Sequence, residues 1–526
     1  MKMNKKIIFL GLCASVFASS CTKNFEKYNT NPEGARQEEV ERDAYILSSA
    51  LTGLQSWVVP LDVNTNQFTE CLLGGSYGGY LSDSNNGFNG KNFATYNPEN
   101  GWARVAFNDI IPNIFIRNNK VKVVTDDVVP HAVADIIKVL AISRVTNIYG
   151  PIPYSKVGVD GALNAPYDSQ EAVYNLMFDQ LDEAIETLTA RRNENFSSKA
   201  DLVYGGNVIQ WIKLANSIKL RLAIYVSKAN PSLARTKAEE AVSHEIGVIT
   251  ANVDNALVQP TLKNPFRVVM FEYNGGDSRV SADITSYMNG FKDPRAAKYF
   301  NPTTFTTGTN AINGLRSGIN IPSGDDVKNY SNYNIAENGK VLWINAAEVA
   351  FIRAEGALKG WEMGIPQVSA GTAAEGFYNT GITLSFEQWG AGNASAYIAD
   401  NVSLPARYID PKAQFSYTGA TSTTTIKWNA SASATEVNLE RIITQKWIAT
   451  FPLGVEAWTE FRRTGYPKLM PVMVNNSGGR VSTERMARRL AYPQEEYSEN
   501  NANVNQAVST LLQGADNMGT DIWIAK

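Results

Sequence analysis

The sequence predicts a mainly α-helical fold that carries a large loop-rich, irregular half and a few short strands. Three observations predict it. Apolar residues recur at helical spacing in several long segments, at 132–149, 171–188 and 208–222 among others. Between 250 and 340, and again from 361 to 436, that period disappears and Gly, Asn, Ser and Thr dominate. With 44% apolar and 19% charged residues over 526 positions, the chain can still bury a sizeable core.

Residues 1–20 read as an export signal. Lys2, Lys5 and Lys6 precede an apolar run from Ile7 to Ala18, and the small residues Ala18-Ser19-Ser20 lead to Cys21. A twelve-residue helix spans about 18 Å, too short for a hydrocarbon core of about 30 Å. A Cys directly after the small residues resembles a bacterial lipobox, in which the Cys21 thiol is acylated. Cleavage there leaves 45 basic against 51 acidic residues, a balance unlike that of a nucleic-acid binder. It also leaves Cys71 without a partner for a disulfide. Residues 21–40 are polar, with Asn29-Thr30-Asn31-Pro32, and read as a tether. Residues 41–526 are expected to form one domain.

The helices follow in order. Residues 102–120 carry an apolar stripe in which Pro112 predicts a kink or break. Residues 132–149 stop before Gly150-Pro151. Asp168-Ser169 offers a cap for the stripe from Val173 to Leu188, and Asn207 one for the stripe from Val208 to Leu222. Residues 342–359 place Ile344, Ala347, Phe351, Ala354 and Leu358 on one face, with Gly360 as a stop. A last helical block covers about 438–463. The scaffold therefore lies mainly in 41–250, 342–360 and 438–526. Loop-rich insertions lie mainly in 74–100, 250–340 and 361–436, with a short strand near 424–428. The paired helices suggest stacked hairpins, without a strict 34-residue repeat. Trp57, Trp102, Trp211, Trp343, Trp361, Trp447 and Trp458 lie on or beside the stripes and are assigned to the core.

Catalytic patterns are absent. There is no G-x-x-x-x-G-K-[ST], G-x-S-x-G or H-E-x-x-H. Gly74-Gly75-Ser76-Tyr77-Gly78-Gly79 lacks phosphate-loop spacing and reads as a flexible loop. Glu348 and Glu355 lie seven apart on one helix face, about 10.5 Å along its axis; solvated or interhelical ion pairs with Lys or Arg suit them better than glycosidase chemistry. The two histidines, His131 and His244, sit near helix ends and read as capping or surface residues. Short basic runs such as Arg191-Arg192 and Arg462-Arg463 are expected to pair locally. Asp83 and Asp325-Asp326 fall short of a calcium loop. No metal or organic cofactor is expected, and the chain is not expected to be an enzyme.

Several blocks, in order, resemble the SusD/RagB outer-membrane lipoproteins. They are Ala141–Tyr154, ending in YGPIPY; Tyr167–Leu188; Asp201–Ala223 with Trp211, Asn216 and Arg221; Asp293–Phe300; Ala346–Trp361; Gln445–Leu469; and Arg488–Glu496. The resemblance covers nearly the whole chain after Cys21. It implies tetratricopeptide-like helix pairs that support an irregular ligand-binding half. It also implies a lipid anchor at Cys21 on an outer membrane, and a role as lid over a TonB-dependent SusC-like transporter. The short spacer after Cys21 has no acidic run, so surface exposure rests on the resemblance. The ligand implied is an oligosaccharide or, in some relatives, an oligopeptide. A surface hydrolase and a structural adaptor are the rival readings.

Sugar binding needs an aromatic face and short polar side chains. Two loop clusters supply both. The first is Tyr77, Tyr80, Asn85, Asn86 and Phe88. The second is Phe271, Tyr273, Asn274, Arg279, Tyr330, Asn332 and Tyr333. Anchoring of loops on the scaffold is the competing role for these aromatics.

Overall fold

The computed structural model describes residues 45–526 except 160–163, 307–310, 366–368 and 432. The export signal, Cys21 and the tether lie outside the described residues. Six long helices stack in chain order: α1 (Tyr45–Gln55), α2 (Ile110–Val124), α3 (Val128–Tyr149), α4 (Gln170–Ala190), α5 (Val208–Tyr225) and α6 (Pro231–Ser243). Each packs on the next, which makes a stack of helical hairpins. The expected caps form: Ser169 Oγ accepts from the Ala172 amide and Asn207 Oδ1 from the Gln210 amide. α3 is buried along nearly its whole length, so it is the central helix of the stack.

Four more helices close the structure: α7 (Ala346–Leu358), α8 (Ala370–Trp389), α9 (Thr435–Ala449) and α10 (Gly454–Thr464). α7 packs on α8, α9 and α5, while α10 packs on α3 and on the segment 67–77. The strands β1 (Leu81–Asp83), β2 (Ile152–Pro153), β3 (Tyr167–Asp168), β4 (Ala256–Val258), β5 (Ser278–Val280) and β6 (Val341–Ile344) form three antiparallel pairs: β1–β5, β2–β3 and β4–β6.

Several local expectations are corrected. The stripe at 102–120 breaks at Asp109, not at Pro112. Pro112 falls in the first turn of α2, where a missing N–H breaks no helical bond. Val341–Ile344 is a strand, and α7 starts only after Asn345, whose Oδ1 accepts from the Glu348 amide. The block 438–463 is two helices separated by Phe451-Pro452. No strand forms at 424–428. α8 occupies ground read as loop. Its Gly381 lies against the ring of α7's Phe351, where a Cβ would come within 2.7 Å. That glycine serves helix packing and not a turn.

The stretch Gly74–Gly79 is also not a flexible loop. Gln67–Gly74 is a π-helical segment that continues as Gly75–Tyr77, and all but Phe68 are buried. Here the glycines let two backbones touch: a Cβ on Gly454 would lie 2.2 Å from the Gly74 carbonyl carbon.

The core is cross-braced by charge. Arg221 on α5 holds Glu348 on α7 at 2.6 and 2.8 Å, and Arg463 on α10 holds Glu355 at 2.6 and 2.7 Å. The pairing expected of the two glutamates is therefore interhelical and buried. Arg463 also pairs with Glu460 one turn away, which in turn takes Lys446 of α9 at 2.5 Å. Arg144 on α3 sits between Glu70 and Glu456 at 2.8 and 2.7 Å. Burial raises the Glu70 carboxyl, with Arg144 only partly opposing it. Burial also pushes Glu456 upward, but Arg144 and Arg221 outweigh it and hold it below the usual range. Such pairs add little net stability over apolar packing, yet they penalise any arrangement that separates them.

Candidate functional site

The β1–β5 pair brings the Asn85–Phe88 part of one predicted cluster beside the Phe271–Asn274 part of the other. Leu81, Ser82 and Asp83 lie opposite Val280, Arg279 and Ser278. Just beyond, Asp277 gathers amides from both sides: Asn85 Nδ2 at 2.8 Å, Asn274 Nδ2 at 3.0 Å and Gln67 Nε2 at 2.6 Å. Ser84 completes the join, its amide donating to the Asp277 carbonyl at 2.9 Å. Burial raises the Asp277 carboxyl while the three amides pull it down. Asp83 is buried beneath this knot, and neither oxygen accepts a hydrogen bond of good geometry. Burial, and then the charge of Asp277, push its carboxyl up to about 8, with the neighbouring Ser76 hydroxyl offsetting little.

Over this join the surface is aromatic and amide-rich. Phe88 meets Trp102 edge-on at 4.9 Å, and Phe68 lies 5.3 Å from the same ring. All three are half-buried, so each leaves part of its ring open. Lys91 lies 5.7 Å from the Trp102 ring and pairs with Glu99. Asn86 and Asn274 are exposed, and half-buried Tyr273 donates its hydroxyl to Asn64 at 3.2 Å. Phe271 is half-buried under the Arg267 guanidinium, 3.9 Å away. Trp102 was assigned to the core from its stripe, and Phe68 and Asn64 carried no local signal. The turn-forming Asn97-Pro98-Glu99-Asn100-Gly101 before Trp102 marks it as a residue at a surface break.

Six of the predicted residues lie inside the protein. Tyr77 packs 4.9 Å from Trp458. Tyr80 stacks on Trp447 at 5.5 Å and donates its hydroxyl to the Trp447 carbonyl. Arg279 donates to the Met270, Ser278 and Gly275 carbonyls. Tyr330 donates to Asp410 within a small separate core. Asn332 donates to the Met270 carbonyl and accepts from the Tyr333 amide. Tyr333 packs 4.8 Å from Phe451 and reaches the wall of a cavity of about 210 Å³ shared with Phe266 and Trp389. The first five present no open ring or free donor to solvent; glycines beside Tyr77 and Tyr80, read as loop, in fact allow close packing.

Neither histidine lies at this surface. His131 faces the Thr125 carbonyl, and His244 contacts Thr189 and the Ile246 amide, both on the helical stack. Cys71 is buried, and burial pushes its thiol well above the usual value. Among the described residues no three His, Cys, Asp or Glu side chains converge to hold a metal.

The sequence profile of the SusD-like family, described as Susd and RagB outer membrane lipoprotein, matches residues 27–525. The chain belongs to the SusD-like family. Solved relatives agree over the whole fold. A SusD homologue from Bacteroides uniformis is 48% identical, with a TM-score of 0.87 over 92% of this chain and 99% of its own. A SusD homologue from Bacteroides thetaiotaomicron is 42% identical, with a TM-score of 0.84 over 91% and 99%. A chitin-binding SusD homologue from Flavobacterium johnsoniae is 36% identical, with a TM-score of 0.84 over 91% and 98%. Comparison with curated proteins gives no match. This SusD-like protein is thus a member of a family of nutrient-binding outer-membrane lipoproteins. Among its described residues no helix is long and apolar enough to cross a membrane.

Proposed function

We propose that this SusD-like protein captures an oligosaccharide at the cell surface and delivers it to a SusC-like TonB-dependent transporter, held to the outer membrane by lipid on Cys21. The observation that carries the reading is the half-open Phe68–Phe88–Trp102 cluster beside exposed Asn86 and Asn274. The Trp102 ring covers the C–H face of a sugar, with Phe88 edge-on beside it. The Asn86 amide, the Asn274 side-chain oxygen and the Tyr273 hydroxyl serve its hydroxyl groups. The chitin-binding relative puts β-linked N-acetylglucosamine oligomers first in the panel of ligands.

The test is calorimetry on the chain lacking residues 1–20, with Cys21 replaced, against oligosaccharides and oligopeptides. Expected is micromolar to millimolar binding of one glycan class, without turnover, weakened roughly tenfold or more by Trp102→Ala or Phe88→Ala. Glycan affinity unchanged in both variants would remove the site. Binding of peptides alone would overturn the ligand class and keep the transporter role.

A further inference from the structure

A concave site of about 600 Å³ lies at the C-terminal end of α10, remote in sequence from the aromatic cluster and sharing no residue with it. Small-molecule sites commonly occupy about 300–1,000 Å³. Six cationic side chains line it: Lys228, Arg462, Lys468, Arg485, Arg488 and Lys526. Two acidic side chains, Glu484 and Asp521, face them.

The acids do not balance the cations. Asp521 is already shared between Arg488, at 2.5 Å, and Arg485. Glu484 is exposed on the rim and makes no ion pair among the described residues. Arg462 and Arg488 form the floor, and they brace each other through backbone carbonyls. Arg462 Nη1 donates to the Arg488 carbonyl at 3.0 Å, and Arg488 Nη2 donates to the Arg462 carbonyl at 2.7 Å. The other bonds of Arg462 go to the Trp458 carbonyl and the Thr459 hydroxyl, so every partner is neutral. Burial, and then the charge of Arg488, hold the Arg462 guanidinium well below its usual basicity. The carbonyl end of α10 supplies about half a negative charge. A net positive charge therefore remains.

The rim leaves donors unspent. Lys468 is exposed, and its ammonium lies 4.6 Å from the Tyr466 ring. Lys228 is exposed and gives one hydrogen bond, to the Ala525 carbonyl. Arg485 spends one nitrogen on Asp521 and has two more. One wall is apolar, from Phe461, Leu469 and Met486. A cationic floor and rim beside an apolar wall suits an anion carried on a carbon skeleton better than a bare ion.

We propose that this site binds a small organic oxyanion, a carboxylate, sulfate or phosphate group on a sugar-sized body, as a second ligand site separate from the aromatic face. The test uses glucuronate, glucose 6-sulfate and glucose 6-phosphate, with glucose and inorganic sulfate as controls, titrated into the full soluble chain at matched ionic strength. Expected is saturable binding of at least one acidic sugar, no binding of glucose, and affinity that falls as sodium chloride is raised. Lys228→Glu and Lys468→Glu should each weaken it roughly tenfold, since each reverses a charge at the rim. Both side chains are exposed, so thermal melts should match the parent; Lys228→Gln and Lys468→Gln give the milder comparison. Trp102→Ala should leave acidic-sugar binding unchanged, which separates this site from the proposed glycan face. Inorganic sulfate binding as tightly as the acidic sugars would reduce the ligand to the bare ion and overturn the organic part. Glucose binding equally well, no saturable binding, or binding indifferent to both lysine reversals would overturn the proposal.

Discussion

Replacing Asp83 by Asn should stabilise the protein at neutral pH but not in acid. Asp83 is buried, accepts no hydrogen bond of good geometry and lies near Asp277, and its carboxyl is raised from 3.8 to about 8. Below about pH 4 the carboxyl is protonated in both folded and unfolded chains, and it costs nothing. Above that the unfolded chain releases the proton while the folded protein keeps it up to about pH 8. Stability is therefore drained progressively between these limits, by about 1.36 kcal/mol per pH unit. At pH 7 the drain reaches at most about 4 kcal/mol. Asn carries no such proton. With an unfolding entropy of about 2.1 cal/mol/K per residue, this chain has roughly 1 kcal/mol/K, so the gain is about 4 °C in Tm. The assay is differential scanning fluorimetry of both proteins at pH 4 and pH 7. Any fixed effect of the amide itself cancels when the two pH values are compared. A Tm difference that is the same at both would refute the reasoning.

Arg463→Met leaves Glu355 and Glu460 buried without their guanidinium and should cost about 3–5 kcal/mol in urea unfolding. Tyr80→Ala opens a hole beside Trp447 and should cost about 3–5 kcal/mol, while glycan affinity of the folded protein stays as in the parent by calorimetry. Burial pushes Glu460 upward, but Arg463 and Lys446 outweigh it and hold it at about 2. Its contribution is therefore present above about pH 4.5 and lost as pH falls towards 2, which acid unfolding followed by circular dichroism should show and Glu460→Gln should flatten. Gly454→Ala places a methyl group against the Gly74 backbone and should lower the soluble yield or the Tm by more than any exposed Gly→Ala, for example at Gly371.

Much of the scaffold was legible because it repeats a local rule. The 208–222 stripe and its Asn207 cap need only neighbours within one helix, and they appear as expected. Glu348 and Glu355 were legible as ion-pair partners because two carboxylates on one apolar face must find cations. α8 was missed because its Gly and Thr content imitates a loop, although Phe377, Ile382 and Phe386 are buried at helical intervals. The site was legible only in part. Asn86, Phe88 and Tyr273 carry open surface, as surface loops should. Tyr77 and Tyr80 were read as loop aromatics, because glycine was taken to mean freedom where it meant close approach. No local pattern encodes the β1–β5 pairing, which joins segments about 200 residues apart.

The backbone contact between Gly74 and Gly454 also governs when the molecule can be finished. Its two halves are 380 residues apart, so it cannot form until α10 has been synthesised. Until then the segment 67–77, with Cys71, Leu72, Leu73 and Tyr77, lacks one of the surfaces that bury it. A chain cut short before α10 thus keeps an apolar strip uncovered, open to chaperones and proteases. The same join makes completion of the chain a condition for hiding it. Incomplete copies carry their own mark for removal.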